Sequence, residues 1–298
     1  MKRKLEISEL IFKIIAYTFL GIFSICCLYP FVYAISASIS GKEAVDYNQV
    51  ILLPKDIQFQ AFAKMFGNNM FWNSYTNTLF LTIFGTIWAL FVAILGGYAL
   101  SKKRLLFRKG FNFFLVFTMW FSAGMVPQYL NYLHTAEVFE SMGIDDRKWL
   151  IVIAMGMAAM NVILLRNAFE GVPSEIEEAS IVDGATELQI LAKVYIPMSQ
   201  STIATVALFF AISRWNGFFW AKQMLLGNYE NEQPLQVYIR NQLDLYMDSD
   251  YMSSWNEPYS HYSELYALIV CAIIPILIIY PFIQKYFAKG VNMGGVKE

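Results

Sequence analysis

Six stretches of this chain stay apolar for longer than a β-strand does: Ile14–Ile39, Thr78–Leu100, Phe111–Leu130, Trp149–Leu165, Thr202–Ala221 and Leu265–Phe282. A helix crossing a hydrocarbon layer of ~30 Å needs roughly 20 mostly apolar residues. The runs meet that length and are too long for barrel or sandwich strands. They predict an all-α integral membrane protein with six transmembrane helices in one domain spanning residues 1–298. Composition agrees, at 57% hydrophobic and 15% charged, where a soluble domain has about 25% charged. A net charge of −1 gives no reason to expect nucleic acid, and the lipid bilayer is the expected surrounding.

Orientation follows from where lysine and arginine fall. With the N-terminus inside, the inner segments hold fourteen of the 22 basic residues and the outer loops seven, with Arg214 inside a run. The dense KKRLLFRK loop at 102–109 carries much of that bias. Both termini are therefore expected in the cytoplasm, on a multi-pass membrane chain. The first run follows a KRK triplet but exceeds the ~7–15 apolar residues of a signal peptide, so it reads as an uncleaved helix. Cys26, Cys27 and Cys271 each lie in an apolar run and read as buried small side chains, not as a disulfide framework. His134 and His261 lie far apart, in loops, and no metal site is expected.

In the second run, Gly85, Ala89, Ala93 and Gly97 recur at every fourth residue. They form one small-residue stripe, which lets another helix approach closely inside lipid. The partner helix is either in this chain or in another subunit.

Between the fourth and fifth runs the chain turns acidic, with GVPSEIEEASIVDGATELQILAKVYIPM at 171–198. Ser174 with Glu177 reads as a capping box, and Thr186 with Gln189 as a second. Asp183–Gly184 is a turn signal between them. The segment 172–198 thus predicts two short helices with a glycine bend. Ile176, Ala179, Leu188, Leu191 and Val194 are expected to pack on something, and the carboxylates to face a partner. Read from the residues alone, a solvated helical loop fits as well as a docking element.

The order Glu178-Ala179-Ser180, three residues, Gly184, nine residues, then Val194-Tyr195-Ile196-Pro197 resembles the EAA motif of permease subunits of bacterial ATP-binding-cassette importers. Ser180, Val194 and Ile196 depart conservatively from the family's Ala, Ile and Leu. NVILLRNAFEGVPSEIEEASIVDGA, WNGFF, PLQVYIRNQL and QKYFAKGVNMGGVK extend the likeness over essentially the whole chain. They narrow it to permeases for complex carbohydrates and oligosaccharides, of the same class as the smaller maltose permease. The resemblance implies a type I ABC importer permease (MetI-like) fold working by alternating access. It implies that Glu178, Ala179, Ser180, Asp183, Gly184, Ile196 and Pro197 belong to a coupling helix docked on an ATPase. Glu178 would pair with a basic group there, Gly184 would make the bend, and Ala179 and Ser180 would allow close docking. The implied partners are a second homologous permease, two ATPase subunits and an extracellular or periplasmic sugar-binding protein. ATP and Mg would sit on the ATPases and no cofactor on this chain.

No G-x-x-x-x-G-K-[ST] phosphate loop is present, so ATP hydrolysis is not expected of this chain. Hydrolase and metalloprotease motifs are absent as well. An ion-driven carrier should carry carboxylates in its spans, and the six runs contain none. A permease for polyamines, phosphate or amino acids shares the coupling motif and remains the nearest alternative. Arg214, beside Trp215 and Asn216, lies within the fifth run. An ionisable group there marks either the substrate path or a pairing with a neighbouring helix. Asn161 has the same two readings, with a helix–helix hydrogen bond favoured. Trp120 and Tyr129 read as interface anchors.

Overall fold

A computed structural model describes residues 7–225, 230–246 and 257–290. Parts of the last outer loop (247–256) and the end of the C-terminal motif (291–298) lie outside the described residues, as do Lys2, Arg3 and Lys4 of the basic N-terminus. All regular structure among the described residues is helical. The chain runs α1 (Ile7–Ser38), two short helices α2 (Lys42–Asp46) and α3 (Gln60–Phe66), then α4 (Asn69–Ser101). Four helices follow: α5 (Arg108–Trp120), α6 (Met125–Ser141), α7 (Arg147–Ala154) and α8 (Ala159–Glu170). Next come α9 (Ser174–Val182) and a stretch from α10 (Glu187–Ile190) through a π-helical turn (Leu191–Tyr195) into α11 (Ile196–Met198). The order closes with α12 (Gln200–Trp215), α13 (Phe219–Met224), α14 (Leu235–Tyr246) and α15 (His261–Gly290).

Three helices are long and apolar enough to cross a membrane unbroken: α1, α4 and His261–Pro281 of α15. Three bent pairs bring the number to six if each counts as one span: α5 with α6 (113°), α7 with α8 (50°), and Glu187–Met198 with α12 (87°). The run 111–130 is therefore two helices. Pro127 has no N–H for a helix entering from Trp120 and would crowd its preceding turn, so a new helix starts beyond Gly124, whose φ is +88°. The run 149–165 breaks at Met155–Ala158, and the run 202–221 stops at Trp215, short of the expected end. The π-helical turn Leu191–Tyr195 lies just before Pro197, where the ring disturbs α-helical bonding and a widened turn accommodates it. His134 and His261 both lie in helices, not loops.

The chain divides into two compact units. In Met1–Asn69 with Ile239–Ile274, Tyr33 meets Tyr266 edge-on at 5.4 Å. Lys42 Nζ donates to the Glu257 carbonyl at 2.9 Å, and Ser260 Oγ donates to Asp46 Oδ1 at 2.5 Å. Cys271 is buried, whereas Cys26 and Cys27 are exposed along α1. The expectation of burial fails for that pair because α1 buries only its last turns, from Ala34 on.

In Met70–Tyr238 with Pro275–Glu298, one hydrophobic cluster gathers Ala89, Ala93 and Tyr98 of α4 with Leu165 and Phe169 of α8 and Val206 and Phe210 of α12. Ile190, Leu191 and Tyr195 complete it. All four stripe residues are buried, and the stripe serves packing within this chain. A Cβ on Gly97 would stand 3.0 Å from Leu165 Cβ and 3.1 Å from Arg166 N, and one on Gly85 would stand 3.0 Å from Arg214 Nε. Neither the backbone nor a β-carbon of α8 can yield much. We expect Gly97→Val to lower stability by about 1–3 kcal/mol through overpacking. Gly110→Ala, with nothing within 4 Å of the added carbon, should be near neutral. Thermal unfolding of the purified variants in detergent checks the difference.

Candidate functional site

The acidic segment is fixed to its own chain by the basic loop that joins α4 to α5. Lys102 is only 8% exposed, and an ammonium so far from water needs a counter-charge. Its Nζ lies 2.6 Å from Glu177 Oε1 and 4.2 and 4.0 Å from the ring centres of Tyr98 and Tyr195. These two rings meet edge-on at 5.0 Å, so the ammonium sits over two aromatic faces and against one carboxylate. Tyr195 Oη donates to Glu177 Oε2 at 2.5 Å, and Tyr98 Oη donates to Glu187 Oε2 at 2.8 Å. Arg104 pairs with Glu187, and Arg108 pairs with Glu170 at the end of α8 while its Nε donates to the Leu100 carbonyl at 2.8 Å. Two cations of the loop and one at the start of α5 thus hold the end of α8, the middle of α9 and the start of α10.

Burial by itself pushes the Glu177 carboxyl up. The hydrogen bonds from Lys102 and Tyr195, with the charges of Lys102 and Arg104, outweigh it and hold the group below 4.5, the ordinary glutamate value. Glu177 is therefore ionised at neutral pH and grips the lysine as a charge. This use of Glu177 corrects the first capping box. Pro173, not Ser174, occupies the cap position of α9, and no side chain caps that helix. The second box is present: the Gln189 side chain accepts from Thr186 N at 2.9 Å, and Gln189 N donates to Thr186 Oγ1 at 3.4 Å.

The bend between α9 and α10 is a Schellman turn. Gly184 N donates to the Ile181 carbonyl and Ala185 N to the Ser180 carbonyl, both at 3.0 Å. Gly184 has φ +78°, a conformation that costs an L-residue with a side chain roughly 1–2 kcal/mol. Asp183 is the last residue before it. Farther along, Tyr195 is buried and Ile196 half-buried, while Pro197 is exposed; Ile196 packs on the Tyr98–Phe169 cluster.

Once Glu170, Glu177 and Glu187 are engaged within the chain, the remaining carboxylates define an outward face. Glu175, Glu178 and Asp183 are exposed; among the described residues the ion pairs of this segment run through Glu177 and Glu187. Ala179 is exposed and Ser180 half-buried beside them. Val182 is 86% exposed and Leu188 72%, with Ile176 and Ile181 also exposed. Of the apolar residues expected to pack inward, Leu191 does so and Val194 in part, whereas Ile176, Ala179 and Leu188 face out. A stiff, doubly anchored elbow with an exposed acidic and apolar face can dock and transmit displacement. No group of three or more His, Cys, Asp or Glu suited to a metal exists among the described residues.

The candidate path residues do not converge. Arg214 is buried, and its guanidinium donates to the carbonyls of Ile151 and Met155, so it pairs with a neighbouring helix. Trp215 is buried and edge-on to Tyr75 at 6.1 Å. Asn216 is exposed just past the end of α12, and Asn161 is buried in α8. Sequence reasoning missed Lys102, Arg104, Tyr98 and Glu187 as a holding cluster. The signal was available as a basic loop and an acidic segment of matching size, counted only for orientation.

Loss of this grip is local and readable. We expect Glu177→Gln to leave Lys102 desolvated without its counter-charge, a loss on the order of 3 kcal/mol. Amide exchange in α9 should rise while α4 stays protected. Because the folded Glu177 pKa is depressed, its contribution is present above 4.5 and is lost as pH falls through the lower folded value. Exchange of α9 measured in steps from neutral to acidic pH should show protection falling only below that point.

Comparison with known proteins places this geometry in context. Residues 61–293 match the family described as binding-protein-dependent transport system inner membrane component. The chain is 35% identical over 291 residues, 96% of its length and 98% of the relative's, to the polygalacturonan/rhamnogalacturonan transport system permease protein YtcP of Bacillus subtilis (strain 168). It is similar, at 43% identity and TM-score 0.85, to a chain in the crystal structure of a bacterial ABC transporter involved in the import of the acidic polysaccharide alginate, covering 96% of this chain and 100% of that one. A second chain, from a bacterial alginate ABC transporter in complex with an alginate pentasaccharide-bound periplasmic protein, matches with TM-score 0.65 at 16% identity, over 92% of each; it speaks for the fold alone.

Proposed function

This chain belongs to the family of binding-protein-dependent transport system inner membrane components, and from that premise we propose that it is the permease subunit of an ATP-driven carbohydrate importer, coupled to a separate ATPase through α9. The observation that carries the coupling role is the exposure of Glu175, Glu178, Val182 and Asp183 on and just after α9 and of Leu188 on α10, while Glu177 of α9 and Glu187 of α10 are gripped from behind. A docking element must present charge and apolar surface outward while being rigid inward, or the stroke it receives is absorbed. Glu178 then meets a basic group of the ATPase, and Ala179 and Ser180 allow close approach.

The ATPase site lies on other subunits, because this sequence has no phosphate loop; ATP and Mg bind there and no cofactor binds here. A second, homologous permease completes the pathway, and a binding protein delivers the sugar outside. The lysine and arginine distribution supports both termini, and the α4–α5 loop with α9, on the cytoplasmic side of the membrane. An acidic oligosaccharide is the favoured cargo, since YtcP is named for polygalacturonan and rhamnogalacturonan and the similar solved transporter for alginate.

Co-expression with a second permease, the ATPase and a binding protein tests this reading in vesicles. Uronate oligosaccharides on the binding protein should stimulate ATP hydrolysis and enter the vesicles; stimulation by polyamines or amino acids alone would contradict it. Glu178→Ala and Gly184→Pro should assemble yet lower uptake per ATP by roughly tenfold or more. In the second variant a proline ring fixed near −65° replaces a residue at +78°. Normal uptake by either variant would remove that residue from the coupling role.

A further inference from the structure

Arg214 stands at the far end of α12 from the acidic segment. Helix α12 is joined to that segment at Ser199, where the chain turns by 87°, and a helix of 16 residues spans about 24 Å. The Arg214 side chain lines a small cavity together with Leu81, Ile151 and Met155. Nη1 donates to the Ile151 carbonyl at 3.2 Å, and Nη2 donates to the Met155 carbonyl. Both acceptors lie where α7 ends and the α7–α8 pair breaks by 50°. A helix C-terminus carries partial negative charge and is short of donors. The Ile151 carbonyl also accepts from Met155 N at 3.3 Å, so Arg214 adds a second donor there and one at Met155. Inside lipid no water is available to do so, and a cation suits the negative end of the helix.

The surroundings are built around this contact. Gly85 has no side chain where a Cβ would lie 3.0, 3.1 and 3.3 Å from Arg214 Nε, Cδ and Cγ, so α4 backs the arginine stem. Gly156, in the break, has none where a Cβ would lie 2.8 Å from Trp88 Nε1, so α4 also closes on the break itself. Two of the five guanidinium N–H donors are spent on backbone.

We propose that Arg214 is a positioning residue that pins the far end of α12 to the break in the α7–α8 pair. Displacement entering at the acidic elbow then moves α7 with α12 as one body. The proposal rests on the coupling role assigned to α9, and adds where the stroke is delivered.

The test uses the assembled transporter in vesicles, in a background lacking Cys26, Cys27 and Cys271. Spin labels at Ile153 and Ile212, both exposed, report the distance between α7 and α12 with and without ATP. With Arg214 intact, one narrow distance should persist in both states. Arg214→Met should broaden or shift it when ATP binds, cut uptake by about tenfold or more, and leave hydrolysis stimulated by the loaded binding protein within about twofold. Arg214→Lys, which keeps the cation on a different stem, should recover part of both readouts. An unchanged distance, or uptake within about twofold of the parent, overturns the proposal. If Arg214→Met does not assemble, Gly85→Ala presses on the same side chain and is judged by the same two readouts. Gly184→Pro in parallel separates the claims: should it transport normally, the coupling role of the elbow fails, whereas if it uncouples and Arg214→Met does not, only the pin fails.

Discussion

A lysine ammonium removed from water has to be neutralised where it sits, and Lys102 is neutralised by the segment it holds. Its carboxylate partner Glu177 and the two rings that flank it come from three different helical elements. The charge therefore converts three contacts into one cooperative joint. Removing Lys102 or Glu177 leaves the other charge desolvated without its partner, a cost larger than the loss of a surface ion pair. Lys102 and Arg104 of the loop, with Arg108 at the start of α5, act as a bracket from the end of α4 to α8, α9 and α10.

That bracket gives the outer face of α9 its meaning. The helix has no buried residue of its own, so packing alone would leave it free to swing. Held by Glu177 and stopped by the glycine turn at 184, it behaves as part of the bundle. The exposed carboxylates and apolar side chains are then presented on an anchored segment, which is what the proposed coupling role requires. At the other end of α12, the backbone carbonyls of Ile151 and Met155 at the end of α7 meet the Arg214 cation.

Much of this was legible in the sequence because it is local. The apolar runs, the four-residue stripe from Gly85 to Gly97, the Thr186–Gln189 box and the turn at Gly184 each depend on residues a few positions apart. What failed depended on distance along the chain. Glu177 caps nothing because Lys102, 75 positions earlier, claims its carboxylate; Arg214 serves Ile151 and Met155, some 60 positions away. Breaks within runs were hidden by hydrophobicity, which reports apolar surface and is blind to direction. Pro127 and Gly156 were the local marks of two of them. Ile176 and Leu188 were expected to pack inward because apolar residues usually do; here they face out, on the side assigned to a partner.

The central claim is that the Lys102 joint makes the elbow stiff, so the most direct measurement is the number of ATP molecules hydrolysed per sugar imported by vesicles carrying Lys102→Met. Methionine fills much of the lysine stem's volume and leaves the two rings in place, so it removes the charge with little change in packing. The account expects hydrolysis to continue on addition of loaded binding protein while the ATP spent per sugar rises by roughly tenfold or more. A ratio equal to that of the unaltered transporter, with both complexes fully assembled, would contradict it.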